Sequence, residues 1–474
     1  MHSTKKNLEQ FFNPRDIAVV GVPREGDRFG GRTFLKKFLE CGFPGKLYPI
    51  NPKAGEIQGL KAYPDLSSLP ETPDLVIVSV AAKLVPAVLE ECARIGLRHI
   101  HVLSSGFSET GTKEGNELEE RIASISRENG LLVIGPNCMG PYCPSSKLTA
   151  WGAIPGMSGP VGIISQSGTI TQRLTEYLCS LGIGVEKAVS MGNGAVLDSP
   201  DYLEFIAEDE KIRVIAMYLE SVKDGRRFLC LVREVGKKKP IIIWKGGESE
   251  VGAMTVASHT GSLAGERSIW EAFFRQTGAV HVRSMNEWAD AILTLCLLPA
   301  SKGKGVFLIG GGGGNSVAHS DTCIREGLDV PPLSDMSMRR LRETVPVAGS
   351  IVGNPLDVWR IFEDTEYLKE VLELAFADPN VSMVVVDRLI PRKAFHMTER
   401  EDPTQGIIEF VKGNQGNKPT VFTVDSDGGD PELAVKGTTL RAQFCKAGLP
   451  AYPSLKRATW ALAQHYRYHA RSGL

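Results

Sequence analysis

Short apolar runs, mostly β-branched, alternate along this chain with stretches whose apolar positions recur every three or four residues. The first such runs are Ile17–Val22, Leu47–Asn51, Leu75–Val80, His99–Leu103 and Leu131–Gly135. Between two of them, Leu84, Val85, Val88, Leu89, Cys92 and Ile95 repeat at helical spacing. Continuous apolar runs suit strands covered on both faces, so this is a βαβ series around a parallel sheet. A second series opens after the Pro/Gly-rich segment 154–160, with strands expected at Val161–Ser165, Val214–Leu219 and Pro240–Lys245. A polar linker at 299–305 precedes a third, with strands at Val306–Ile309, Met383–Asp387 and Thr420–Val424. The pattern predicts an α/β chain of three Rossmann-like or flavodoxin-like modules with mostly parallel sheets, at residues 1–150, 151–298 and 304–474.

Composition agrees with that count, because 474 residues divide into about three domains of roughly 150 each. Lysine plus arginine (54) nearly cancels aspartate plus glutamate (55), which points to no nucleic-acid or membrane partner. The nine cysteines are scattered, without a CxxC pair or a zinc-ligand spacing, so a reducing cytoplasmic compartment and no metal site are expected. No stretch approaches the roughly 18 apolar residues of a membrane span. Glycine, at 50 residues, is in excess, and it clusters just after apolar runs, where phosphate-binding turns form.

The chemistry concentrates in four places. The first strand runs into a glycine-rich turn, Gly21 to Gly31, followed by a helical stretch, as in dinucleotide-binding folds. An NAD site would need an acid near the end of the second strand, but the sequence there is Asn51-Pro52-Lys53, and a lysine favours phosphate. In the second module, Ala257-Ser-His-Thr-Gly-Ser-Leu-Ala-Gly265 surrounds one imidazole with small residues. A histidine with a pKa near 6.5 is largely neutral at pH 7 and offers a nitrogen lone pair to phosphorus. Strand Val161–Ser165 leads into Gln166-Ser-Gly-Thr, where Ser165, Ser167, Gly168 and Thr169 would hold an anion at a helix start while His259 attacks it. The fourth is the run Gly310–Gly314, a second anion cradle through Gly312, Gly313 and Gly314. Each has a plainer reading: a solvated lysine, a loop histidine, a serine N-cap, a permissive loop.

Read in order, the Gly-rich turn, Asn-Pro-Lys, Ser79-Val-Ala-Ala82, Ser104-Ser-Gly-Phe107 and Gly135-Pro-Asn-Cys138 resemble the CoA-binding domain of the succinyl-CoA synthetase and ADP-forming acetyl-CoA synthetase superfamily. The nonapeptide around His259 resembles the phosphohistidine loop of ADP-forming acyl-CoA synthetases, and Asn354-Pro-Leu-Asp357 resembles a motif of their carboxy-terminal domain. The resemblance implies two succinyl-CoA synthetase-like domains after the CoA-binding one. It implies Gly21, Val22 and Pro23 at the start of a CoA site and Lys53 near the nucleotide phosphates. Val80 and Ala81 would line the adenosine or pantetheine path, with Ser105, Gly106 and Asn137 near the pantetheine arm. His259 becomes the phosphoryl carrier, with Glu220 fixing its tautomer. No GxxxxGK[ST] loop occurs and no module of ATP-grasp size follows. ADP or ATP with Mg2+ is therefore expected on an ATP-grasp β-type subunit, in a heterotetramer acting on a small carboxylic acid or its acyl-CoA. The alternative is a noncatalytic CoA-binding regulatory or scaffold protein of the same fold, motivated by Pro23, Ala81 and the Gly310–Gly314 run. A nicotinamide-dependent oxidoreductase is a further rival, which Lys53 opposes.

Overall fold

Each apolar run becomes a strand because it is covered on both faces. A computed structural model describes residues 7–26, 29–151, 156–260, 265–310, 312–345, 350–388, 390, 403–416, 418–426 and 430–472, without the side chains of 257–260, 363 and 472. The chain divides into two compact units: residues up to Cys179 with Gly184–Ser284, and Ser180–Ile183 with Met285–Leu474.

The first unit holds two sheets. In the first sheet, β1 (Asp16–Val20), β2 (Lys46–Ile50), β5 (Leu75–Val78), β6 (His99–Val102) and β7 (Leu132–Ile134) lie parallel in the order β2-β1-β5-β6-β7. A two-stranded hairpin, β3 (Glu56–Ile57) and β4 (Leu60–Lys61), follows β2. All four residues of β5 are buried, and helices such as Gly31–Glu40 and Val85–Arg94 turn Phe34, Leu35, Phe38, Val85 and Leu89 onto the sheet. The chain leaves β1 to one side for β2 and returns to the other for β5. This makes a topological switch point, outside which ligands of open α/β sheets bind.

The second sheet repeats the device. Its order is β13-β12-β11-β9-β10-β8, built from β8 (Gly140–Tyr142), β9 (Val161–Ser165), β10 (Val185–Ser190), β11 (Val214–Leu219), β12 (Ile241–Lys245) and β13 (Val280–Val282). All pairs are parallel except β8 with β10. Here the chain leaves β9 for β10 and returns on the other side to β11, so the switch point lies between β9 and β11.

In the second unit, β14 (Val306–Ile309), β15 (Met383–Asp387), β16 (Thr420–Thr423) and β17 (Ala451–Tyr452) run parallel in chain order. Leu356 bridges Ile309 on the free edge of β14, so β14 too has neighbours from both directions of the chain. Asn354 fastens that segment: its Oδ1 accepts from the Leu308 N–H (3.1 Å) and its Nδ2 donates to the Val306 and Pro331 carbonyls.

The helix Met285–Leu297 lies before the linker and was expected to close the second module, but it groups with the second unit. Its buried Asp290 receives a two-pronged bond from Arg457 of the helix Leu455–Ser472 (2.6 and 2.7 Å), and Thr294 bonds the Tyr452 hydroxyl (2.7 Å). Burial pushes the Asp290 carboxyl up to about 6, with Arg457 opposing. Among the described residues no helix is long and apolar enough to cross a membrane.

Candidate active site

At the switch point of the first sheet, Gly21 adopts φ +87°, and a Cβ there would lie 2.3 Å from the Ser79 carbonyl oxygen. Only glycine lets the β1 and β5 ends approach so closely. The Ser79 hydroxyl accepts from the Gly31 N–H (2.9 Å), tying the end of β5 to the start of the helix Gly31–Glu40. Asn51 fastens the end of β2, donating through Nδ2 to the Val22 carbonyl (2.8 Å) and accepting the Lys53 N–H at Oδ1 (2.8 Å). Lys53 thus stands exposed in a turn anchored to the glycine turn. Pro23 and Ala81 are exposed and Val80 is half-buried. Val22 is fully buried, with its N–H and carbonyl bonded to Ile50 and Asn51, so it can serve a ligand only by shaping the turn.

The remaining members of the CoA set lie beyond β6 and β7. Ser105 is exposed, and a Cβ on Gly106 would touch Ala82 at 3.0 Å, which places that loop beside Val80 and Ala81. The Gly106 N–H is already given to Glu109 (2.5 Å), so its contribution to a ligand is close approach rather than a hydrogen bond. Asn137 has φ +59° and donates to Asn193 Oδ1 at 3.4 Å. Asn193 is itself buried, and its amide donates to Glu109 (2.7 Å), Glu119 (2.8 Å) and Ser108 (3.2 Å). This network joins the two sheets of the first unit; Glu109 and Glu119 carried no signal in the sequence.

At the second switch point, Ser165 ends β9 and Glu220 follows β11. The fully buried Ser165 hydroxyl donates to the Ser167 carbonyl (2.9 Å) and accepts the Ser167 N–H (3.1 Å), so it shapes the turn from within. The Ser167 hydroxyl accepts from the Ile170 N–H (3.4 Å), which is an N-capping contact, while Gly168 is half-buried and Thr169 exposed at the start of the helix Gly168–Ser180. The first N–H groups of a helix have no partner within it and face outward with the positive end of its dipole. Gln166 bridges the cleft, accepting at Oε1 from the backbone of both Glu220 and Ser221 (3.0 Å for Ser221). Glu220 is 6% exposed; its Oε1 accepts from Tyr218 (3.3 Å), and its Oε2 has no partner among the described residues.

Beside Glu220 stands Lys245, which closes the otherwise apolar β12 and is 3% exposed. Burial pushes its ammonium down to about 8, with Glu220 and Glu248 opposing. A lysine ending an apolar strand, here in register with Leu219, belongs to no motif and is signalled in the sequence only by the apolar run before it. The expected loop histidine differs from expectation in its backbone: His259 lies in the last turn of the helix Glu250–Thr260. Its side chain and residues 261–264 lie outside the described residues.

In the second unit, Gly312 (φ +73°) caps the helix Gly313–Arg325 at the end of β14, with Gly313 and Gly314 exposed in its first turn. Gly311 lies outside the described residues. Among the described residues no group of three or more His, Cys, Asp or Glu side chains could hold a metal ion.

Residues 15–144 match the model of a CoA binding domain, and residues 158–295 that of a succinyl-CoA ligase like flavodoxin domain. The alpha subunit of acetate–CoA ligase [ADP-forming] I from Pyrococcus furiosus is 34% identical over 469 residues, 98% of each chain. The chain belongs to the ADP-forming acetate–CoA ligase family. A solved member of this family, acetyl-coenzyme A synthetase 1 of Ca. Korarchaeum cryptofilum in complex with phosphate and ADP, superposes with a TM-score of 0.86 at 33% identity, over 98% of this chain and 97% of that one. Family members also occur as longer chains: acetate–CoA ligase [ADP-forming] I of Archaeoglobus fulgidus is 35% identical over 80% of this chain, yet the match spans 54% of that relative.

Proposed function

We propose that this chain is the CoA-binding subunit of an ADP-forming acyl-CoA ligase, interconverting acyl-CoA, ADP and phosphate with the acid, CoA and ATP. Phosphate oxygen attacks the thioester carbonyl and the CoA thiolate leaves, giving an acyl phosphate. A neutral imidazole nitrogen of His259 then attacks phosphorus, the P–O bond breaks, and its electron pair leaves with the carboxylate. The phosphohistidine finally passes its phosphoryl group to ADP. Dividing the reaction in this way replaces one difficult exchange by easier ones.

One observation carries this reading: a helix start and a buried carboxylate share the switch point of the second sheet, in a chain akin over its full length to an ADP-forming ligase subunit. The N–H groups around Ser167, Gly168 and Thr169 suit a phosphate. The unpartnered Oε2 of Glu220 suits the N–H of an imidazole whose other nitrogen bears phosphorus. Gly312, Gly313 and Gly314 are proposed to hold phosphate from a second helix start. In the first sheet the close approach at Gly21 and the turn bearing Lys53 suit the phosphates of CoA, with Val80, Ala81, Ser105, Gly106 and Asn137 along the pantetheine arm.

ADP with Mg2+ is assigned to an ATP-grasp β-type subunit, the whole forming a cytoplasmic heterotetramer. The alpha-subunit name of one relative and the greater length of another support a separate or fused nucleotide module. Full-length kinship to ligases favours catalysis over a scaffold role. The test is to incubate the full chain and its partner subunit with γ-labelled ATP. An acid-labile, alkali-stable label is expected, absent in His259→Ala; a label that survives this substitution, or no label at all, overturns the reading.

A further inference from the structure

Asn193, in the turn after β10, is 3% exposed and bonded on every side. Its turn is tied to the end of β9, where the Met191 N–H is given to the Ser165 carbonyl (2.8 Å). It is tied as well to the loop after β7: the Asn193 N–H goes to the Pro136 carbonyl (3.1 Å), the Ala195 N–H to the Gly135 carbonyl (3.0 Å), and Asn193 Oδ1 accepts from Asn137. The two protons of the Asn193 amide are left for Glu109 (2.7 Å) and Glu119 (2.8 Å), with the Ser108 hydroxyl also in reach. Those carboxylates hold the backbone next to the proposed pantetheine arm. Glu109 accepts from the Gly106 N–H (2.5 Å) and the Phe107 N–H (3.2 Å), and Glu119 from the Ser108 N–H (3.3 Å) and hydroxyl (2.6 Å). Two carboxylates drawn to one point repel each other, and a neutral amide donating to both lets them stand together.

We infer that Asn193 is a positioning residue of the CoA site: through Glu109 and Glu119 it holds the Ser104–Phe107 loop in fixed register with the turn at Ser165, the end of the strand that leads into the proposed phosphate site. This rests on the ligase reading. The loop has spent its own N–H groups on the two carboxylates, so it serves the pantetheine arm by its shape, and the shape depends on the amide that steadies both acids. Without that donor the carboxylates part and the loop moves with them.

The effect is read by calorimetric titration of the full chain with CoA. Asn193→Ala removes both donors and should raise the dissociation constant about 10-fold. Asn193→Asp adds a third negative charge to the cluster and should raise it about 100-fold. Combining Asn193→Asp with Glu109→Gln exchanges donor and acceptor across one contact, and this double variant should bind CoA more tightly than Asn193→Asp alone. Acid-labile labelling of each variant with the partner subunit and γ-labelled ATP uses no CoA and should proceed at the wild-type rate. A residue serving only the fold would slow labelling together with CoA binding. Wild-type affinity in Asn193→Ala, a double variant no tighter than Asn193→Asp, or labelling that falls in step with CoA binding overturns the inference. Should Asn193→Asp not fold, Asn193→Ala decides by its affinity and labelling. If the wild type binds no CoA or takes no label, the ligase reading falls and this inference with it; if the wild type does both and the Asn193 variants bind CoA equally well, only the role of Asn193 is lost.

Discussion

At the scale of the residue, Glu220 shows how burial turns an ordinary side chain into a specific acceptor. One of its oxygens faces Tyr218 and the other has no partner among the described residues, in a pocket where an unmet carboxylate oxygen is costly. The same burial raises the Tyr218 hydroxyl, Glu220 adding to the effect, so the phenol stays a donor at any physiological pH. Glu220→Gln keeps the shape and removes the charge. Turnover of the assembled enzyme should fall about 100-fold or more, with little change in melting temperature, and an unchanged rate would remove Glu220 from the mechanism. Glu220 was legible because it terminates a plainly apolar strand within a recognisable motif. Lys245 closes the neighbouring strand in register with Leu219, and its burial was not legible because packing rather than sequence order brings the covering residues around it. At Val22 the backbone polar groups are spent on Ile50 and Asn51, so its place in the turn was legible while these bonds were not.

At the scale of the element, every strand expected from an unbroken apolar run is present, and the ones overlooked are short or carry charge. Strand β10 is the clearest case. Val185-Glu-Lys-Ala-Val-Ser reads as surface, yet Glu186 and Lys187 are 2% and 7% exposed. Lys187 is paired with Asp209, and Glu186 accepts from Ser145 (3.0 Å), Ser158 and Lys211 (3.1 Å). These bonds hold the Glu186 carboxyl below its usual range although burial works against them. Periodicity sees only polarity, and the partners that neutralise it come from more than twenty residues away. Asp209→Ala would strand the Lys187 ammonium at the flank of a five-strand parallel array. Chemical denaturation should register a loss of about 3 kcal/mol or more, and a loss well below 1 kcal/mol would mean that water reaches the lysine.

At the scale of the whole molecule, each of the three expected strand series forms a mostly parallel sheet among the described residues, with the β3–β4 hairpin in addition, but the attachment of the helix Met285–Leu297 was not legible. The linker at 299–305 looks like a boundary, while the helix before it is bound to the second unit by Asp290 and Thr294, whose partners lie some 160 residues downstream. The proposed CoA site, by contrast, is gathered from one sheet. Hydrogen exchange on the full chain with saturating CoA should slow most at Gly21–Pro23, Asn51–Lys53, Ser79–Ala82 and Ser104–Gly106. Protection centred instead on Met383–Asp387 would relocate the site to the second unit.

Strand β8 bears on how the chain can be divided. Gly140–Tyr142 falls inside the segment matching the CoA binding domain, yet it pairs antiparallel with β10 and forms the border of the neighbouring sheet. A cut in the gap between 144 and 158 would strip that border away and bare the amide row of Val185–Ser190, an invitation to stray pairing with other chains. The seam that similarity draws through this protein therefore differs from the one along which it could be safely parted.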